Sequence, residues 1–133
     1  MAAPDINALI AAARAARDHA YAPYSHFFVG AAVLARDGRV FAGCNVENAS
    51  YGLTICAERA AVCAAVAAGV RALRAVAIVT DLPEPARPCG ACRQVLAEFG
   101  PAMAVILVGS TQARVQSSLD KLLPEPFTFT RPG

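Results

Sequence analysis

Apolar residues near the start of the chain recur at helical spacing. Ile6, Leu9, Ile10, Ala13 and Ala20 fall on one side of a 3.6-residue repeat, which predicts an amphipathic helix over roughly 5–20. Tyr21-Ala22-Pro23-Tyr24-Ser25 interrupts it. The pattern then changes: 29–35 is continuously apolar, like a buried strand, Asp37-Gly38 signals a two-residue hairpin turn, and 39–44 returns as the second strand. Residues 56–68 predict a helix with Thr54 as its cap and Gly69 as its stop. Residues 73–80 form a buried strand, and 81–87, with Pro83 and Pro85, a loop. Pro88 opens a third helix that Gly100-Pro101 closes. Strand 103–108, turn 109–113, a short fifth strand at 114–117 and a helical turn at 118–123 complete the chain before Pro124. An antiparallel hairpin followed by alternating helices and strands predicts an α/β fold, a mixed sheet covered by helices.

At 133 residues the chain suits one domain, 1–133, long enough to bury roughly two thirds of its unfolded surface. It is apolar for its size, with 56% hydrophobic and only 17% charged residues. Either its alanine content or a large subunit interface accounts for this. The net charge is +2 and the twelve Lys and Arg are scattered. A polynucleotide binder usually carries a basic stripe, so the expected substrate is a small molecule rather than a nucleic acid polymer. No apolar run reaches membrane-spanning length, so no membrane partner is expected. No basic stretch precedes an apolar one at the start, and an odd count of five cysteines suits a metal site in a reducing compartment better than a disulfide framework. A cytoplasmic protein is expected.

The candidate chemistry lies in Cys56-Ala57-Glu58 and Pro88-Cys89-Gly90-Ala91-Cys92. Three thiolates suit a zinc ion that keeps its fourth position for water. Zinc makes such a water acidic enough to attack an electrophilic carbon near neutral pH, and the order of these residues is the zinc deaminase signature. Cys56 and Glu58 are two apart, so on a regular helix they point about 200° from each other. They serve one ion only if it sits ahead of the helix N-terminus. Cys89 and Cys92 fall in the first turn of the next helix, so two positive helix ends face the metal. Three thiolates leave zinc with net charge −1, and helix N-termini or nearby cations offset it. Arg59 and Arg93 each follow a motif residue and are candidates to donate to the sulfurs.

Rival readings are weaker. A redox Cys-x-x-Cys pair leaves Cys56 and Glu58 unexplained. A closed structural zinc site needs a fourth ligand from Cys44, Cys63, His19 or His26. Cys44 ends an apolar strand and Cys63 lies seven residues after Cys56, so both read as small buried hydrophobes. The histidines read as surface residues.

These motifs are joined by Ala22-Pro23-Tyr24-Ser25, Val29-Gly30-Ala31-Ala32, Gly43-Cys44-Asn45-Val46-Glu47-Asn48, Cys56-Ala57-Glu58-Arg59, Pro88-Cys89-Gly90-Ala91-Cys92-Arg93-Gln94 and Leu122-Leu123-Pro124. Together they resemble the cytidine deaminase family, specifically its small homotetrameric type, over nearly the whole chain. The resemblance implies a three-layer α/β/α fold with a five-stranded mixed sheet. It implies hydrolytic deamination of cytidine and deoxycytidine to uridine and deoxyuridine, in pyrimidine salvage, with one Zn²⁺ per chain. Cys56, Cys89 and Cys92 would hold the zinc. Glu58 would take a proton from the attacking water and pass it toward N3 and then the leaving amine. Phe27 would pack against the base, Ala57 would line the substrate site, and Asn45 and Glu47 would bind the ribose 3′-OH. Ala49, Tyr51 and Phe127 match positions that approach a neighbouring subunit's site in a homotetramer. Phe28, beside Phe27, departs from the pattern.

The chemistry fits these roles. Hydrolysis of an aromatic amine needs hydroxide delivered to a ring carbon and protons moved to ring nitrogen and amine, which one mobile carboxylate can do. An amide and a carboxylate two apart in an extended segment share a face and offer complementary groups to a hydroxyl. Asn45-Val46-Glu47-Asn48 argues for an ordinary nucleoside over a blasticidin-type substrate. The missing basic stripe argues against polynucleotide deaminases. A non-catalytic zinc-binding domain is the alternative from another class, and hydrolysis of cytidine separates the two.

Overall fold

A computed structural model of the chain describes residues 5–129. Five strands form one sheet in the order β2-β1-β3-β4-β5. They are β1 (Val29–Ala35), β2 (Val40–Cys44), β3 (Leu73–Thr80), β4 (Ala104–Val108) and β5 (Arg114–Ser118). Only β3 and β4 run parallel; the other pairings are antiparallel. Parallel neighbours need a crossover, and helix α3 (Gly90–Phe99) supplies it.

The sheet is covered on both faces. β1 is buried throughout, and its side chains alternate between two cores, as period-two geometry requires. Ala32 and Leu34 join Leu9, Ile10 and Ala13 of α1 (Ile6–Arg17) on one face. Val29, Ala31, Val33 and Ala35 face Ala57, Ala61, Val62 and Ala65 of α2 (Ala57–Ala67) and Leu96 of α3 on the other. α4 (Leu119–Leu122) adds Leu119 to that second core. The expected three-layer α/β/α arrangement with a five-stranded mixed sheet is present.

Close approach of helices to the sheet depends on two glycines. A Cβ at Gly30 would lie 1.9 Å from Ala13 O on α1, and one at Gly43 would lie 2.5 Å from Ala61 N on α2. Both obstacles are backbone, so no rotamer change relieves them.

Several boundaries differ from expectation. Helix α1 starts after Asp5, whose Oδ1 accepts from Ala8 N–H at 3.0 Å, and it stops at Arg17 rather than Ala20. Tyr21 instead bridges to Val46, which draws the chain away from the helix axis. The β1–β2 loop has three residues, not two: Ala35 N–H donates to Arg39 O, Gly38 N–H donates to Ala35 O, and Gly38 takes φ +98°. Glycine adopts that left-handed conformation without strain. Thr54 does not cap α2. Thr54 ends a 3₁₀ turn (Tyr51–Leu53), an Ile55–Val46 bridge follows it, the cap position falls to Cys56, and Thr54 Oγ1 accepts from Asn48 N–H. Helix α3 begins at Gly90 with Cys89 as its cap residue, two residues later than Pro88 suggests.

Candidate active site

Strand register gathers one end of the sheet into a site. Val29 at the start of β1 pairs with Thr80 at the end of β3, and Gly30 pairs with Cys44 at the end of β2. The segments leaving these strand ends lead to the N-termini of α2 and α3. There, Cys56 and Cys89 occupy the two cap positions, and neither uses its side chain to cap. Cys92 lies one turn inside α3. The three sulfurs lie within 4.8 Å of one another, with Cys89 and Cys92 at 3.4 Å. All are free thiols. Around a tetrahedral zinc with Zn–S of about 2.3 Å the sulfurs stand about 3.8 Å apart, so donor type, number and spacing fit zinc. Among the described residues, no other group of three or more His, Cys, Asp or Glu ligands is so arranged.

Glu58 is the second residue of α2 and is 6% exposed. Burial raises its carboxyl above the usual range, and the negative charge of Cys56 adds to this, against its own backbone N–H and Arg59. The carboxyl therefore holds a proton more readily than a solvated one. The Cys56 thiol is lowered to about 5, first by hydrogen bonding from Cys92 and then, against burial, by Arg59. The Cys92 thiol is raised, chiefly because it is the group that donates to Cys56. The cluster thus favours negative charge on the sulfur beside the arginine.

Arg59 Nη2 donates to Cys56 Sγ at 3.4 Å and to Thr54 O at 3.3 Å. Its Nε is buried without a partner among the described residues, leaving a spare donor next to an electron-rich cluster. Arg93 is the other candidate for this role. Its guanidinium turns elsewhere: Nε donates to Pro88 O at 2.8 Å and Nη1 to Leu122 O at 2.9 Å. One residue beyond Cys92, the helix rotates its side chain away from the sulfurs.

A cavity of about 470 Å³ opens beside the cluster, lined by Phe27, Asn45, Glu47, Tyr51, Cys56, Ala57, Glu58 and Cys89 among others. Phe27, not Phe28, supplies the aromatic wall. Asn45 is 8% exposed, accepts from Val29 N–H at 3.0 Å and donates to Phe27 O at 2.7 Å. It therefore fixes Phe27 while keeping a second N–H and a second lone pair for another partner. Glu47 Oε1 accepts from Tyr24 N–H at 3.0 Å and Ser25 N–H at 3.1 Å, and Oε2 accepts from the Ser25 hydroxyl. The Ser25 hydrogen bond, against some burial, holds the Glu47 carboxyl below its ordinary value.

Ala49 and Phe127 do not line this chain's cavity, and both are exposed. Tyr51 does line it, although it too is 78% exposed. Cys63 is exposed and Cys44 half-buried, contrary to the expectation of buried hydrophobes. Cys56 is a cap outside the helix, so counting seven residues from it does not identify α2's buried face. Ser25 and Thr80 line the cavity without having been singled out. The Ala22-Pro23-Tyr24-Ser25 motif contained a signal for Ser25, since a hydroxyl in a turn readily binds a nearby carboxylate.

A family profile described as the cytidine and deoxycytidylate deaminase zinc-binding region matches residues 4–108. A cytidine deaminase of Sporosarcina psychrophila is 49% identical over 125 residues, covering 93% of this chain and 92% of its own. The crystal structure of a Burkholderia pseudomallei cytidine deaminase superposes with a TM-score of 0.87 at 53% identity, covering 91% of this chain and 98% of its own. That of a Mycobacterium tuberculosis cytidine deaminase gives 0.82 at 46%, covering 96% and 100%.

Proposed function

This chain belongs to the cytidine and deoxycytidylate deaminase family, and we propose that it hydrolyses cytidine and deoxycytidine to uridine and deoxyuridine with release of ammonia. The observation that carries the reading is a cluster of three convergent cysteine sulfurs, two of them (Cys56 and Cys89) lining one cavity together with the buried carboxyl of Glu58. Cys56, Cys89 and Cys92 hold the zinc. When bound, zinc supplies the Lewis acidity that makes water nucleophilic near neutral pH.

The remaining work falls to the chain's own groups. Glu58 takes a proton from the attacking water and delivers protons to ring N3 and to the departing amine at C4. A buried carboxyl beside the sulfur cluster suits a group that must hold a proton between two transfers. Arg59 draws charge from the Cys56 sulfur, while the N-termini of α2 and α3 serve all three ligands. Phe27 packs against the base and Ala57 borders it. Asn45 and Glu47 take the ribose 3′-OH, with Asn45 donating its free N–H and Glu47 accepting from the hydroxyl.

Residues 1–133 act as one catalytic domain, in a homotetramer with shared sites. Several exposed apolar side chains support the assembly: Val46, Tyr51, Leu53, Ile55, Phe127 and Phe129 are 40% to 78% exposed. Ala49, Tyr51 and Phe127 approach a neighbour's pocket in this reading. The reaction belongs to pyrimidine salvage in the cytoplasm, where free thiols persist. Among the described residues no helix is long and apolar enough to cross a membrane. Arg93 has no part in charge compensation here, given its carbonyl partners.

The test is loss of cytidine absorbance on adding purified protein, with ammonia measured alongside. Free cytosine should react poorly and deoxycytidine should still react. A 2′,3′-dideoxy analogue should lose much of its kcat/KM, because it leaves Asn45 and Glu47 unpaired. Absence of ammonia from zinc-loaded protein would refute the reading.

A further inference from the structure

Two consecutive side chains on α3, directly after Cys92, reach away from the sulfur cluster to the C-terminal segment. Arg93 holds Leu122 O. Gln94 makes a two-point pairing: its Nε2 donates to Phe127 O at 2.9 Å, and its Oε1 accepts from Phe127 N–H at 3.0 Å. A side-chain amide presents a donor and an acceptor along one planar edge. Here that edge pairs with both main-chain groups of a single residue, as an adjacent strand does in a hydrogen-bonded β pair. Fixing both groups fixes the direction of that residue's side chain.

Phe127 and Phe129 are 75% and 76% exposed, and residues 126–129 border a cavity of about 450 Å³ against α3 rather than packing flush on it. Pro124 and Pro126 carry no N–H, and Pro126 biases Glu125 toward extended backbone. The chain thus arrives at Phe127 stiff and short of donors, and the Gln94 amide takes the next N–H and its own carbonyl. The Phe127 ring does not line the cavity beside its own chain's cysteines.

We propose that Gln94 is a positioning residue, whose amide clamps the Phe127 main chain so that the ring is presented to the nucleoside pocket of a second copy of the chain. The proposal rests on the shared-site reading above, and it adds that α3, whose cap and first turn hold two of the cysteines, also sets the aim of the ring.

The test is a double-mutant cycle on the zinc-loaded oligomer. Gln94→Leu should raise KM for cytidine about three- to tenfold with little change in kcat, zinc content or oligomeric state. Phe127→Ala should do the same, and the double variant should be no worse than Phe127→Ala alone, because Gln94 acts through that ring. Hydrogen exchange at the Phe127 amide should accelerate in Gln94→Leu. Gln94→Met, which keeps length without the amide, replaces Leu if that variant does not fold. Additive losses, or unchanged Phe127 exchange, would overturn the clamp. A native KM in Phe127→Ala would instead overturn the shared-site reading, and with it the destination of the ring.

Discussion

Gly43→Ala should damage the metal site from the far side of α2. Gly43 sits in β2, paired with Ala31. An added Cβ would stand 2.5 Å from Ala61 N and 2.9 Å from Ala57 O. Relief to ordinary contact needs a retreat of about 1 Å, and only backbone is available to move. Overpacking of this kind costs about 1–3 kcal/mol, which for a domain this size is a fall in Tm of roughly 4–12 °C. The retreat falls on the first turn of α2, where Ala57 lies between Cys56 and Glu58. A misplacement of about 1 Å can cost on the order of 10²-fold in rate. Thermal unfolding, zinc analysis and kcat/KM on one preparation measure all three effects. Gly90→Ala is the control: nothing lies within 4 Å of its added Cβ. It should be neutral or stabilising by up to about 1 kcal/mol, despite adjoining Cys89. Native Tm and native kcat/KM in Gly43→Ala would show that the β2–α2 contact does not set the site's geometry.

Other expectations concern the pocket walls and the thiolate. Asn45→Ala strands the buried Val29 N–H, at about 1–3 kcal/mol, and frees the part-buried Phe27 O; denaturant unfolding should show the loss, and KM should rise as Phe27 loosens. Ser25→Ala removes the hydroxyl that holds the Glu47 carboxyl low. A carboxyl depressed in the folded protein keeps its interactions above its ordinary pKa and loses them as pH falls through the depressed value. The substitution should therefore move the Glu47 titration, followed by NMR, to higher pH, and an unmoved titration would show that Ser25 does not stabilise the carboxylate. Arg59→Ala should keep zinc bound but reduce turnover, since the Cys56 sulfur then holds more charge; unchanged turnover and pH profile would leave the helix ends as the compensating charge.

Periodicity and punctuation made the fold largely legible. The apolar runs of β1 and β4, and of β3 after Arg74, are short and bounded by turn signals, as strands buried on both faces are, and Gly100-Pro101 marks the end of α3. Local signals failed where tertiary pairing overrode them. Thr54 looked like a cap, but the Ile55–Val46 bridge shifted the helix start to Cys56. Asp37-Gly38 read as a two-residue turn, yet the observed hydrogen bonds enclose three residues. The sulfur cluster was legible because metal chemistry dictates residue type and spacing. Which of Arg59 and Arg93 faces the sulfurs was not legible, because adjacency in sequence says little about direction on a helix. The motif around Ser25 marks a hydroxyl in a turn, but its partner, Glu47, lies twenty-two residues away, and no local pattern identifies that pairing.

The central claim, that Glu58 moves the protons while three cysteines hold zinc, is tested most directly by Glu58→Gln. The substitution preserves size and leaves Cys56, Cys89 and Cys92 untouched. Native zinc content and native thermal unfolding are expected, with uridine formation from cytidine reduced by about 10²–10⁴-fold or more, the range for loss of one general acid–base group. A zinc-loaded Glu58→Gln protein that retains more than about a tenth of native turnover would contradict the claim.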